Sequence, residues 1–582
     1  MHQHPYLTGC GLFFLCALLY LSGLSIVPFY TKGEPREATV VWEIYTTGEW
    51  ILPLRNGHII PSKPPLFHWL GTIMSFAWGD LNEWTIRFPS ALLGLVGIGL
   101  TYGTGVALWG VEVGVMAALI VATSFEWHRA ATTARVDMTL TVFMVAAFLH
   151  FLFLYRRREV HWKDAFFFYV LLGLATLAKG PVGAILPILT VVAFLAVQRD
   201  LSFLRHLHIV MGGVVVTVIA GAWYGFALWE GGWDFFLKQV LKENLLRFFN
   251  SRIGGAGHQH PFYYFIPNLF LGMAPWSLFF PPLAVFLYQR RPHWAKEGLL
   301  YFIVWTATVF LFYSAASGKR SVYILPLYPA VALLLAAWWE ELRQGRTRVP
   351  PMLLWLIRGS GYLCLALVIG IIGCVGAQYL GADPLALIRS WLHPKDQSNL
   401  PLFTGIVAAH TWAFLLWSLV TTGAAVLLVL GLRRDYWGWI FMALATFTFS
   451  LSLLITTVFQ PTVATTRTYR PFMERVVTRI GNAPLFFYLT FDNGALYYAK
   501  RRVPFYDASL VPQSTSYFLL MRKEEWEKMA SQVEGTFQLA DVSEGTGPKD
   551  RHQLVLISAP AGAFLSPETA PPTEEEAEED TL

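Results

Sequence analysis

The stretch YTKGEPREATVVWEIYTTGEWILPLRNGHIIPSKPPLFHWL, Tyr30–Leu70, follows an apolar run that ends at Phe29 and itself returns to apolar sequence. It holds Lys32, Glu34, Arg36, Glu37, Glu43, Glu49, Arg55 and Lys63. A dense mixed-charge segment wedged between two lipid-compatible runs has the form of a loop at a membrane–water boundary. The 582-residue chain is 55% hydrophobic, 14% charged and 16% aromatic, with a mean hydropathy of +0.48. Soluble domains carry roughly a quarter charged residues. One water-facing fold cannot hide this much apolar surface, so the sequence specifies a polytopic α-helical membrane protein.

Apolar runs long enough to span lie near 7–29, 86–109, 138–155, 209–229, 264–287, 298–316, 321–341, 353–380, 402–431 and 436–459, with shorter ones near 111–126, 165–178 and 182–198. Together they predict about 13 transmembrane helices. With the N-terminus in the cytoplasm, the basic clusters Arg156–Arg158, Arg199/Arg205, Arg290/Arg291, Arg343–Arg348 and Arg433/Arg434 all fall inside. The Tyr30 segment then faces outward. The expected organisation is a transmembrane domain over 1–460 with outer loops 30–82 and 230–262, a small extracytoplasmic α/β domain over 461–564, and an acidic, Pro- and Glu-rich tail over 565–582. In the C-terminal part, "PLFFYLTF", "ALYYAK", "SYFLLM" and "QLVLIS" read as strands and "KEEWEKMASQV" as a helix.

The outer side should be poor in Lys and Arg, yet Arg36, Lys63, Arg87, Arg135, Lys179, Arg247, Lys319 and Arg320 fall on or near it. Many adjoin Gly, Pro or acidic residues at span ends. Snorkelling to headgroups accounts for single residues; an anionic ligand at the outer interface, such as a lipid phosphate, accounts for the set. In "GEPREA", Pro35 suits a first helical turn, and Ala38, Val41, Trp42 and Tyr45 recur at helical spacing. This predicts an amphipathic helix on the membrane surface, with Glu34 at the mouth of a cavity. Prolines after Lys63 fix its backbone. Glu83 and Arg87 stand at i, i+4. Arg135 and Asp137 open a span, Lys179 sits at a turn between two short ones, and Lys319 and Arg320 form another turn before Tyr323. There is no Walker A loop, no D-x-D and no H-E-x-x-H. His258 and His260 leave a divalent metal open. Nothing suggests nucleic-acid binding.

The ordered motifs "GEPREA…GEWILPLRNG…KPPLFHWL…RFPSAL", "ARVDMTL", "LAKGP", "ENLLRFF…GHQHPFYYF…PW" and "GKRSVYILPLYPA" resemble the bacterial aminoarabinose lipid A transferase family, within the protein O-mannosyltransferase-type GT-C glycosyltransferases. The resemblance covers about the first 340 residues. It implies transfer of a sugar from a polyprenyl-phosphate donor to a lipid A, glycan or protein acceptor at the outer face of the bacterial inner membrane, among membrane lipids and with no required cofactor. It implies substrate-binding roles for Arg36, Lys63, Glu83, Arg87, Arg135, Lys179, Arg247, His258, Lys319, Arg320 and Tyr323. Family members carry an Asp-Glu pair after the first span, whereas this chain has Gly33-Glu34. The catalytic carboxylates are then expected to be Glu34 and Asp137. The rival reading is a polyprenyl-linked glycan or lipid transporter. It calls for charges near the bilayer midplane, whereas here they gather at outer span ends.

Overall fold

The computed structural model describes residues 5–246, 259–382, 400–533, 536–548 and 552–565. Arg247, His258 and the tail beyond Leu565 lie outside them.

Helix α1 (Pro5–Leu21) leads to the charged stretch, which folds into α2 (Gly33–Thr47) and α3 (Leu66–Trp78). Both helices stop at a left-handed glycine, Gly48 with φ 77° and Gly79 with φ 80°. A capping box starts α4 (Glu83–Trp109): Asn82 Oδ1 accepts from the Thr85 N–H at 3.1 Å, and Thr85 Oγ1 accepts from the Asn82 N–H at 3.1 Å. Then follow α5 (Val111–Thr123), α6 (Phe125–Ala131), α7 (Val136–Arg157), α8 (Trp162–Lys179) and α9 (Val182–Val197).

Among the described residues six helical runs are long and apolar enough to cross a membrane: Glu83–Trp109, Val136–Arg157, Ile209–Leu246, Ser321–Arg343, Thr411–Arg434 and Trp437–Arg467. Two bent pairs raise this to eight: α5 with α6 at 69°, and Phe262–Gly272 with Trp276–His293 at 110°. Six to eight candidate spans thus stand among the described residues, beside the thirteen expected for the whole chain. Apolarity alone does not set length: Pro5–Leu21, Val182–Val197 and Leu299–Ala315 are apolar but have at most 17 residues. Phe14, Ile185, Val210, Val218 and Leu419 leave apolar surface exposed on the bundle exterior, as lipid contact requires.

The C-terminal part forms a four-stranded mixed sheet of β1 (Leu485–Phe487), β2 (Tyr517–Arg522), β3 (Gln538–Val542) and β4 (Leu554–Ala559), in the order β1-β2-β4-β3. Strand alternation sends Phe487, Leu520, Leu554 and Leu556 to one core and Phe486, Leu519, Val555 and Ile557 to another. The first of these cores is shared with Phe29, Ala38, Val41, Phe67 and Ile86, so the sheet domain and the outer segment are welded by one apolar interior. "ALYYAK", expected as a strand, belongs to the helix Asn493–Ala499. The Asp492 carboxylate caps it, accepting from the Gly494 and Ala495 N–H groups at 2.7 and 2.9 Å, and the cap overrides the strand preference of the Tyr pair. "KEEWEKMASQV" is helical only over Lys523–Met529 before a 3₁₀ turn, and β3 was not anticipated.

The helix α2 is amphipathic as expected, but it does not lie bare on a membrane surface. Its Val41 belongs to the same buried core as Phe472, Phe487 and Leu496 of the sheet domain. Arg502 of that domain donates to Glu43 at 2.9 Å.

Candidate active site

The first turn of α2, the loop carrying Lys63, the start of α7, the end of α8 and the turn before Tyr323 meet at one small polar cavity. Gly33, Arg36, Glu37, Lys63, Arg135, Asp137, Lys179, Arg320 and Tyr323 line it. Seven of these are residues singled out from the sequence, drawn from positions almost three hundred apart. Each element is held by specific contacts. The Gln239 side-chain amide donates to the Pro61 carbonyl beside Lys63. Gly180 ends α8 at φ 115°, where a Cβ would lie 2.5 Å from Asn244 Oδ1, so only glycine lets the chain turn directly behind Lys179.

The charges are tightly interlocked. The Lys179 ammonium donates to Asp137 and lies 4.2 Å from the Tyr323 ring centre. The Lys63 ammonium pairs with Glu243. Arg36 donates to Glu37 at 2.7 Å, and the other Glu37 oxygen lies 2.8 Å from His68 Nε2. Burial opposes the Glu37 charge, but Arg36 and His68 prevail and hold its carboxyl well below the usual range. Arg135 presses on the bare Cα of Gly33: a Cβ there would meet its Nη2 at 2.6 Å. Burial, then the nearby Arg129, pushes the Arg135 pKa down.

Two larger spaces adjoin this cavity. An apolar groove of about 360 Å³, lined by Val182, Ile185, Leu245, Phe312 and Tyr313, reaches the polar cavity at Lys63, Lys179 and Tyr323. A polar chamber of about 430 Å³ shares Gly33, Arg36, Arg135 and Arg320 with it. Lys32, Arg129, Lys319 and Arg467 also line this chamber, and among the described residues no carboxylate does.

Three expected site residues stand elsewhere. Glu34 is not at a cavity mouth; it is 1% exposed. Arg87 grips it at 2.7 and 3.2 Å, and the Ala134 N–H donates to it at 3.0 Å. Arg87 also donates to the Leu24 and Val27 carbonyls, so the pair bolts the end of the first apolar run, α2, α4 and the turn before α7 together. The i, i+4 partner expected for Arg87 is replaced: Glu83 accepts instead from Tyr498 at 2.8 Å and Arg470 at 3.2 Å, docking the sheet domain. Residues not named as site candidates from the sequence are Glu37, Glu243 and Glu126; Glu126 pairs with Arg129, one of the outer-side cations, and also accepts from Ser321 at 3.1 Å. Glu37 was visible only as one charge among many. Among the described residues no group of three or more His, Cys, Asp or Glu converges as a metal site.

Burial raises the cost of the Glu34 charge, and Arg87 more than offsets it, holding this carboxyl below its ordinary range. A depressed folded pKa stabilises above the unfolded value, about 4.3, and that stability is lost as pH falls through the folded value. Glu34→Gln is therefore expected to destabilise the protein by about 3–5 kcal/mol at neutral pH, since it strands a buried guanidinium. Thermal unfolding in detergent should show the deficit at neutral pH and its narrowing below about pH 4. Wild-type stability at neutral pH would contradict this bracing role.

Helical bundle, docked sheet domain and a cationic cavity fed by an apolar groove define a GT-C-type membrane protein of the ArnT fold. The crystal structure of ArnT from Cupriavidus metallidurans bound to undecaprenyl phosphate superposes with a TM-score of 0.74 at 20% identity, covering 96% of this chain and 99% of that one. The chain belongs to the undecaprenyl-phosphate aminoarabinose transferase family. It is 31% identical over 398 residues to the undecaprenyl phosphate-alpha-4-amino-4-deoxy-L-arabinose arabinosyl transferase of Shewanella sediminis, covering 66% of this chain and 68% of that protein. Its match to the corresponding transferase of Aeromonas salmonicida is 29% identical and spans 61% of this chain but only 64% of that protein's length. Residues 62–224 match the dolichyl-phosphate-mannose-protein mannosyltransferase family.

Proposed function

We propose that the chain transfers 4-amino-4-deoxy-L-arabinose from undecaprenyl phosphate to a lipid A phosphate at the outer face of the bacterial inner membrane, with the sheet domain outside and the N-terminus in the cytoplasm. The observation that carries this is the junction of an apolar groove with Lys63, Lys179 and Tyr323. A prenyl tail fits the groove, and its phosphate then meets two ammonium groups and Arg320. The Glu243 carboxylate holds Lys63 in place of that phosphate and yields it when donor binds. The sugar points toward the chamber, whose lining of cations without carboxylates suits an anionic acceptor.

The chemistry follows from these charges. The anomeric C–O bond to the donor phosphate breaks and an acceptor phosphate oxygen bonds to the same carbon, in a single displacement with inversion. Negative charge grows on the leaving phosphate, where Lys63, Lys179 and Arg320 stabilise it without reorganising. A phosphate acceptor is already ionised and needs no base. This suits a pocket whose carboxylates, Glu37 and Asp137, are both committed to ion pairs. On this reading side-chain cations supply the charge stabilisation and no metal is required.

The test is transfer by the purified protein from radiolabelled undecaprenyl-phosphate aminoarabinose to lipid A, with dephosphorylated lipid A as the control. Label is expected on the phosphorylated acceptor alone. Label on the dephosphorylated lipid, or none on either, would reject the reading.

A further inference from the structure

A second cationic cleft lies away from the reaction pocket, between the sheet domain and the outer membrane segment. Its volume is about 70 Å³, room for a single phosphate-sized group when one water needs roughly 10–15 Å³ on the same measure. Lys32 comes from the segment before α2, Arg467 from the end of the last span and Arg522 from the end of β2. Three elements remote in sequence thus bring three cations to one wall. Like charges repel, and their convergence in a partly buried cleft is stabilised by an anion. Among the described residues one carboxylate lines the cleft, Asp492, which caps the following helix and also attracts Lys32 and Arg522, so three cations face a single lining acid. Arg522 is aimed by a 3.1 Å hydrogen bond from its Nε to Thr490, with Glu525 3.9 Å from the same nitrogen and its side chain 25% exposed. The cleft opens into the chamber: Tyr30, Thr31, Lys32, Arg467 and Pro548 line both. A continuous cationic path therefore runs from Lys63 and Lys179 to Arg522.

We propose that the sheet domain supplies a second anion subsite, in which Arg522, Arg467 and Lys32 bind a further phosphate of the same lipid acceptor whose first phosphate reacts at the Lys63–Lys179 pocket. The domain is then part of the acceptor site. The proposal rests on the phosphate-acceptor reading above and narrows it to acceptors bearing two separated phosphates.

The test is equilibrium binding to the full-length protein in phosphatidylcholine nanodiscs, using glucosamine-disaccharide lipids that carry one or two phosphates. Wild type is expected to bind the two-phosphate lipid about tenfold tighter, the scale of one charge-assisted contact. Arg522→Gln should shrink that preference to within about twofold and leave one-phosphate binding unchanged, while Arg522→Lys keeps most of it. The preference should persist in about 10 mM inorganic phosphate, because a tethered phosphate has a high effective concentration. Loss of the preference there would make the cleft a free-phosphate site and overturn the proposal. Equal wild-type affinity for the two lipids would also overturn it, and needs no variant to fold. A tenfold preference surviving in Arg522→Gln would do the same. Binding preference without any sugar transfer would reject the transfer reaction and leave the cleft standing; transfer without preference would do the reverse.

Discussion

Lys63→Ala is expected to lower kcat/KM for the lipid-linked donor by about 10²–10³-fold, the usual cost of one preorganised donor to a developing oxyanion. Lys63 stands where the apolar groove meets the polar cavity, with its side chain 10% exposed and its ammonium held by Glu243. Removing it takes away a cation that sees both the bound phosphate and the leaving one, so KM should rise and kcat fall together. Lys163→Ala is the matched control: Lys163 is exposed near the start of α8 and lines none of these cavities. Lys63→Arg should restore only part of the activity, because a planar fork does not reproduce a point charge on a four-carbon stem. Steady-state kinetics on the two alanine variants decide the matter, and equal activities would remove Lys63 from the donor site.

Asp137→Asn is expected to lower kcat by about 10²-fold with little change in donor affinity. Asp137 accepts from Lys179, whose ammonium sits over Tyr323, and Arg135 and Arg320 border the same cavity. With the carboxylate gone, Lys179 loses the partner that fixes its position among four other cations, and its aim at the leaving phosphate loosens. The acceptor phosphate needs no proton removed, so the deficit should have the same size from about pH 5.5 to about pH 8. A hydroxyl acceptor would instead require a base, and dephosphorylated lipid A would then also take label. Single-turnover rates of wild type and Asp137→Asn across that range measure the deficit. Wild-type-like turnover for Asp137→Asn would leave the carboxylate without a role in the reaction.

The site was legible in part because its cations violate an expectation. Lys63 and Lys179 sit beside Pro64 and Gly180, and Arg320 follows Gly318 by two residues, all at the ends of apolar runs, where a membrane protein avoids outward positive charge. That violation needs no neighbours to be seen. The residues the reading misplaced fail for one shared reason: side-chain direction depends on what the helix packs against. Glu34 and Glu37 are three residues apart on α2, yet Glu37 lines the cavity and Glu34 is sealed by Arg87. Glu83 and Arg87 have ideal helix-pair spacing, but each has a stronger partner from a distant element. Glu243 lies far along the chain from the Lys63 it pairs with, and no local pattern joins them.

Composition and the placement of charge are properties of the chain before it folds. They settle that it enters a membrane, since transfer of apolar residues to lipid is close to additive. They also mark where ordered motifs gather cations. The number of full spans is not additive: the 69° break between α5 and α6 and the 110° break after Gly272 divide apolar runs that composition reads as continuous. Nor is the docking of the sheet domain, which depends on one apolar core built from Phe29, Val41, Phe472 and Leu556. Whether a carboxylate faces a pocket or braces a buried arginine is decided last. The cost of burying a charge is met only by a partner within hydrogen-bond reach, and that partner arrives only with the tertiary fold.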